Sequence, residues 1–388
     1  MRIAALRERI EGERRVAITP ESARQLVDAG LVVTIESGAG AESGYADAAY
    51  QAACAEVAAS VALGTVDVLA HVRPLTVETI GALKTDTITV GLASAASELA
   101  AVRALRDARI TSFALELVPR ISRAQSMDAL TSQSLVTGYR SVLEASMRFP
   151  RFFPLYMTAA GTIPPAKVLV LGAGVAGLQA IATAKRLGAK VSAYDVRAAS
   201  ADEVASMGGT FITLDLEAAD AAGGYAKELA EDRAARQREL LTPHIHAADI
   251  IITTALIPGR PAPQLVTAEM LGGMRAGSVV VDLAAESGGN VEGSVAGEDV
   301  LVPVVDGVVT LVGAKNMASA MAFDASRLYA KNVANLVALM TTDGTLTPDF
   351  DDEVVAGACL THDGAVRHEP TAAALEAPGG TKNSEGKN

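Results

Sequence analysis

The sequence predicts an α/β protein of two parallel-sheet domains joined by two long helices. Three observations carry that expectation. The first half alternates short β-branched runs with amphipathic helical runs. The middle block repeats the alternation over six strand-like runs. Two longer helical runs, each with one apolar face, bracket that block. Each crossover returns the chain to the same edge of a sheet, so such alternation builds a parallel sheet covered on both faces.

In the first half, "VVTIE" (32–36), "VDVLAHV" (66–72), "TITVGLA" (87–93) and "ITSFALEL" (110–117) read as buried parallel strands. Amphipathic stretches such as "ESARQLVDAG" and "ELAAVRALRDAR" lie between strand candidates. In 127–149, Leu130, Tyr139, Val142, Leu143 and Met147 fall on or near one helical face. The middle follows with "KVLVLGAG" (167–174), "KVSAYD" (190–195), "TFITLD" (210–215), "ADIIITTA" (248–255), "SVVVDLAA" (278–285) and "VTLVGA" (309–314). Six strands make a full dinucleotide-binding sheet of the Rossmann type. "HIH" (244–246) precedes one of them and reads as a surface turn with no third metal ligand in view. In 324–341, Leu328, Val333, Leu336, Val337 and Met340 share a face, with Asp324 placed as N-cap. The two long helices are the expected crossings between domains. "FDDEVVAGACLTHDGAVRHEP" reads as a short strand pair returning to the first domain, with Cys359 in the core. The boundaries are therefore 1–130 plus 325–380 for a discontinuous first domain, 131–324 for a nucleotide-binding domain, and 381–388 for a frayed polar tail.

A chain of 388 residues, half of them hydrophobic, can bury large cores in two or three domains. Its net charge of −12 argues against nucleic acid and against an anionic membrane surface, since both are bound by Lys and Arg. Two distant cysteines give no disulfide framework. The N-terminus lacks the apolar core of a signal peptide, and no run reaches the length of a membrane span. A soluble, cytoplasmic chain is the expectation.

The most specific signal is "VLVLGAGVAGLQAIATAKRLGAKVSAYDVR". Gly172, Gly174 and Gly177 form G-x-G-x-x-G after a strand and at the opening of a helix, with Ala173, Val175 and Ala176 between them. The first glycine permits the turn, the second admits a pyrophosphate, and the third lets helix and strand pack closely. The helix N-terminus then offers N–H groups and a positive dipole end to phosphate. Asp195 ends the next strand, 18 residues after Gly177, where a carboxylate accepts the adenosine ribose hydroxyls. A 2′-phosphate would meet a like charge there, at a cost of about several kcal/mol. That selects NAD(H) over NADP(H). Val196 and Arg197 follow; Arg197 offers a charge that can bind a 2′-phosphate, but the expectation is that it packs over the adenine or pairs locally. Ligands lie beyond the carboxyl ends of such strands, which adds Thr254, Ala255 and Leu256 in "TTALIPGRPAP" and Asp282 in "DLAAESGGN".

One junction is richer than a connector requires. "PRISRAQSMDALTSQS" (119–134) gathers Arg120, Arg123, Gln125, Asp128, Thr131 and Ser132 between a strand and a helix. On residues alone, two readings stand: a polar binding loop, or a capping loop in which Asp128 or Ser126 caps the helix.

These segments, together with "MTAAGTIPPAKVLVLGAG", "AGGYAKEL", "TTALIPGRPAP" and "VDLAAESGGN", resemble the NAD(H)-binding component of proton-translocating nicotinamide nucleotide transhydrogenase. The resemblance runs from "RRVAITPESA" to "ACLTHDGAVRHEP", and alanine dehydrogenase is the related family. It implies a soluble component, dimeric, held at the inner face of the plasma membrane through membrane-spanning partner subunits. It further implies direct hydride transfer to NADP(H) bound by a partner subunit, coupled to proton translocation. Carried over, Gln125 faces the partner, Asp128 the nicotinamide end, and Arg120 the nicotinamide or pyrophosphate side. Thr131 stands where the family has Ser and keeps the hydroxyl; Ser132 adjoins it. Gly224 and Tyr225 fall in the family's mobile loop. "VGAKNMASAM" (312–321) departs from the family by lacking a proline. Hydride transfer needs no protein acid or base; it needs two rings held together with water excluded.

Two rivals are weighed against this reading. An alanine dehydrogenase needs a cationic carboxylate clamp and a proton-transferring His–Asp pair. Arg15 matches its arginine, and "AHVRP" offers His71 and Arg73. However, the segment matching its histidine reads "TVGLASAAS", and its acid position is Glu286. The other rival is a non-catalytic NAD(H)-binding module.

Overall fold

The computed structural model describes residues 1–215, 226–256 and 261–377, with backbone only for 226–232. It divides into two compact units. The first holds 1–133 together with the chain from Ala318 onward, and the second holds Ser134–Met317. The chain leaves the first unit inside the helix Ala129–Arg148. It returns at 317/318, in the 3₁₀ turn Met317–Met321, so the second long helix, Ala322–Leu339, lies wholly in the first unit. Asp324 is a first-turn residue of that helix; the N-cap is Met321, without a side-chain bond.

In the first unit the strands are β1 (Arg2–Ala5), β2 (Val32–Glu36), β3 (Glu56–Ala58), β4 (Val68–Ala70), β5 (Ile88–Gly91) and β6 (Thr111–Ala114). They are parallel and ordered β3-β2-β1-β4-β5-β6. The strand Cys359–His362 adds antiparallel to β6, and Ala365–Val366 closes that edge. "ITSFALEL" is therefore shorter than expected: after Ala114 the chain turns into a 3₁₀ segment, Leu115–Leu117. The helix Ala322–Leu339 lays Tyr329, Val333, Leu336 and Val337 into a core with Ile3, Ile35 and Phe113. Its Tyr329 hydroxyl donates to the His71 carbonyl at 2.8 Å and accepts the Leu92 N–H at 3.1 Å, so the buried phenol is satisfied. Cys359 is buried, and burial pushes its thiol up to about 11.

In the second unit the rest of the long helix, to Arg148, is followed by an exposed hairpin, β7 (Tyr156–Thr158) and β8 (Gly161–Ile163). Its sheet is β9 (Lys167–Leu171), β10 (Lys190–Tyr194), β11 (Thr210–Phe211), β12 (Ile250–Thr253), β13 (Val279–Asp282), β14 (Asp299–Val304) and β15 (Gly307–Gly313). The order is β11-β10-β9-β12-β13-β15-β14, parallel except for β14. Alternate residues go to opposite cores, as the pleat requires. Val168, Val170, Ile250, Ile252, Val279 and Val281 line one face; Leu169, Leu171, Ile251, Val280 and Leu311 line the other. "HIH" is the last turn of the helix Ala226–Ala247 rather than a surface turn. His246 packs on Gly273, where any Cβ would strike its ring. Among the described residues no cluster of metal-ligating side chains occurs, and no helix is long and apolar enough to cross a membrane.

Candidate functional site

The nucleotide turn lies between β9 and the helix Val175–Arg186. Gly172 takes φ +103°, and a Cβ there would stand 2.4 Å from the Thr254 hydroxyl. A Cβ on Gly177 would stand 1.9 Å from the Gly172 carbonyl oxygen. Both glycines are thus demanded by the protein's own packing. Gly174 is not: a Cβ there meets nothing within 4 Å. The space over Gly174 is open, and the helix that follows has Gly174 as N-cap with no side-chain bond to its first amides. An open backbone beside uncapped N–H groups is what a pyrophosphate requires, so the residues fit a dinucleotide. Gly138 of the long helix lets it approach this turn, since a Cβ there would lie 2.1 Å from the Ala176 carbonyl oxygen.

Asp195 sits at the end of β10, beside the turn. Its Oδ2 accepts the Ala173 N–H at 2.7 Å, and its Oδ1 accepts the Arg197 backbone N–H at 2.9 Å and Nε at 3.0 Å. Burial would raise its pKa, but the Arg197 side chain and the backbone donors outweigh burial and hold the carboxyl below its usual range. Arg197 pairs locally with Asp195. Val196, 76% exposed, and the exposed Val175 and Leu256 are apolar side chains left uncovered at this edge. Thr254 turns its hydroxyl onto the Gly172 carbonyl at 3.1 Å. Asp282 is fully buried, so it shapes the loop around it. Gly224 and Tyr225 lie outside the described residues, as do 257–260 of "TTALIPGRPAP".

In the first unit, Arg120, Gln125, Asp128, Thr131 and Ser132 lie in one continuous segment that includes the 3₁₀ turn Ser122–Met127. Arg123 anchors the segment through a bidentate pair with Asp352 at 2.8 and 2.9 Å. Asn332 and Asn335 donate to the Ser126 carbonyl at 2.9 and 3.0 Å, and Ser132 donates to the Asn332 amide oxygen at 2.7 Å. Asp128 accepts the Thr131 N–H at 2.9 Å and its hydroxyl at 2.6 Å, and so caps the helix. Arg120, Gln125 and Thr131 remain exposed on this anchored turn. Sequence reasoning missed the two asparagines that hold it. Both lie on the apolar-patterned helix Ala322–Leu339, where only a three-four spacing from the buried face marks them.

Residues 4–137 match the N-terminal domain of the alanine dehydrogenase/PNT family, and residues 141–369 match its C-terminal domain. The chain belongs to the alanine dehydrogenase/PNT family. Within that family it is 48% identical over 380 residues to the first portion of the NAD(P) transhydrogenase subunit alpha of Rhodospirillum rubrum, covering 95% of this chain and 98% of the relative. The alanine dehydrogenase of Halomonas elongata is 29% identical over 381 residues, covering 97% of each chain. The crystal structure of transhydrogenase from Sinorhizobium meliloti matches with a TM-score of 0.82 and 43% identity, over 94% of this chain and 98% of that one. An L-alanine dehydrogenase structure matches with a TM-score of 0.80 at 25% identity, over 97% and 99%. Fold alone does not separate the two branches of the alanine dehydrogenase/PNT family; side chains do. Arg15 is buried in a bidentate pair with Glu13, at 2.7 Å to each oxygen, and donates to Gln133 at 2.9 Å. Glu286 accepts the Asn316 N–H at 2.9 Å and holds the 312–321 turn without a proline. His71 is buried, its Nδ1 lies 2.8 Å from the Arg73 carbonyl, and burial lowers its pKa to about 4.

Proposed function

We propose that this chain is the NAD(H)-holding alpha component of a proton-translocating transhydrogenase. The observation that carries the reading is the open backbone at Gly174 before an uncapped helix, beside the carboxylate of Asp195. Bound NAD(H) supplies or accepts a hydride, exchanged directly with NADP(H) held by a partner subunit and coupled to proton translocation in the membrane-embedded subunits. Gly172–Gly177 cradle the pyrophosphate. Asp195, once Arg197 swings aside, accepts the ribose hydroxyls, and Val196 lies against the adenine. Thr254, Ala255, Leu256 and Asp282 form the next edge of the site. From the anchored turn, Arg120, Asp128, Thr131 and Ser132 orient the reacting end and exclude water, while Gln125 meets the partner. The component works as a homodimer, in the cytoplasm, at the inner face of the plasma membrane through its partner subunits.

Relatives of the transhydrogenase branch support this reading over alanine dehydrogenase through their higher identity, 48% against 29%, at similar coverage. Titration of the full chain with NADH and NADPH tests it. NADH binding at least about tenfold tighter is expected from the like-charge penalty at Asp195. Equal binding of the two would remove the assignment of this chain to the NAD(H) side.

A further inference from the structure

Asn290 is fully buried at the end of the "ESGGN" loop. Its amide oxygen accepts the Ala255 N–H at 3.0 Å, and its amide nitrogen donates to the Ala255 and Pro263 carbonyls, both at 2.8 Å. Its own backbone carbonyl accepts the N–H groups of Leu265 and Val266 at 2.8 and 3.0 Å. One residue therefore ties down both ends of the segment that starts where β12 stops. A primary amide offers the same donor and acceptor as a peptide group, so Asn290 pairs with Ala255 as a neighbouring strand would. Asp282 fixes Asn290 in turn. Its buried carboxylate accepts the N–H of Asn290 at 2.9 Å, of Val291 at 3.1 Å and of Ala284 at 2.9 Å, and the Thr253 hydroxyl at 3.0 Å. Gly289 is required between them, at φ +80° with a Cβ position 2.9 Å from the Asp282 carboxylate.

We infer that Asn290 is a positioning residue for the nicotinamide half of the nucleotide, acting through the Ala255 backbone and set in place by Asp282. The inference rests on the proposed NAD(H) site. In a doubly wound sheet the two halves of a dinucleotide lie on opposite sides of the first strand. Asp195 at β10 marks the adenosine side. β12 and β13 are on the other side of β9, and Asn290 sets the loop at their carboxyl ends. Loss of the clasp frees Ala255 and leaves its half-buried amide and carbonyl without the Asn290 partner, while Asn290 makes no hydrogen bond to the glycine turn or to Asp195.

The test compares NADH with ADP, which carries only the adenosine half and the phosphates, on full-length wild-type and Asn290→Ala chains. NADH affinity is expected to fall roughly tenfold or more while ADP affinity stays within about twofold. Retained ADP binding reports an intact fold. Asn290→Ser, which leaves a small polar group and room for water, takes the same measurement where the alanine chain does not fold. ADP weakened as much as NADH, or neither weakened, overturns the positioning role while leaving the NAD(H) site standing. A wild-type chain that binds neither nucleotide removes that site, and the inference with it.

Discussion

Asp128 already has work to do as a cap, and that separates its two proposed contributions experimentally. Asparagine is as good an N-cap as aspartate, so Asp128→Asn keeps the bond to the Thr131 N–H, loses the charge, and turns the Thr131 hydroxyl from donor to acceptor. Thermal stability should hold within about 0.5 kcal/mol and NADH affinity within about threefold, while hydride transfer with an NADP(H)-holding partner slows roughly tenfold or more. Unchanged transfer in stopped-flow measurements would return Asp128 to a capping role alone. Glu8 shows the opposite balance, a carboxyl whose environment disfavours its charge. Burial raises its pKa to about 7, Glu13 adds repulsion, and the Val72 N–H at 2.6 Å only partly compensates. Below about 4.5 both folded and unfolded chains hold the proton. Between there and about 7 only the unfolded chain releases it, so stability falls as pH rises through that window. Glu8→Gln keeps the acceptor for Val72 and cannot ionise. It should remove that fall, worth at most about 3 kcal/mol. Urea unfolding of both chains at pH 5 and pH 8 reads the difference; identical pH dependence would contradict the burial of this carboxyl.

At the scale of elements, the glycine turn makes the clearest demand. Gly177→Ala drives a Cβ into the Gly172 carbonyl, so the helix must move off the strand, at a cost of roughly 1–3 kcal/mol or more. Gly174→Ala meets no protein atom and should leave the melting temperature within a degree or two, yet its methyl fills the space proposed for pyrophosphate. NADH titration should show both variants weakened, and thermal unfolding should show only Gly177→Ala destabilised. A Gly174→Ala chain that binds NADH normally would mean that the nucleotide lies elsewhere. This turn was legible because strand, glycines, helix and acid are contiguous in sequence. The strands buried on both faces were legible for a related reason: "KVLVL" and "IIIT" are continuous apolar runs. β1 and β3 escaped notice because four and three residues carry too little pattern. β14 escaped because Pro303 argues against a strand, and a proline is tolerated there only because β14 is the sheet's edge. The exposed hairpin β7–β8 has no buried face and hence no period to read. The clasp of Asp282 and Asn290 was invisible because its partners, Thr253 and Ala255, lie on a different strand and loop, joined only by the fold.

Across the whole molecule, both units share the order of their first five strands, with the first strand central and the chain winding outward in two directions. Only the second follows that strand with a G-x-G-x-x-G turn. In the first unit β1 runs into "LRERIEG", a charged stretch, and its carboxyl end holds Glu8, Glu13 and Arg15. One topology therefore carries two different surfaces, and function must be argued from the side chains. They decide between the two chemistries of the family. Reductive amination needs a cation available to a carboxylate and a group that moves a proton. Arg15 is committed to Glu13 and Gln133, Glu286 to the Asn316 amide, and 92–98 holds no histidine. Re-forming a carboxylate clamp would require breaking a buried ion pair, at a cost of about 3–5 kcal/mol. The full chain supplied with NADH, pyruvate and ammonium should therefore oxidise no NADH above background. The same chain mixed with an NADP(H)-holding, membrane-spanning partner should pass hydride between the two nucleotides. Pyruvate-dependent oxidation by the chain alone would show that the buried pair opens to substrate, and would move the protein to the other branch of its family.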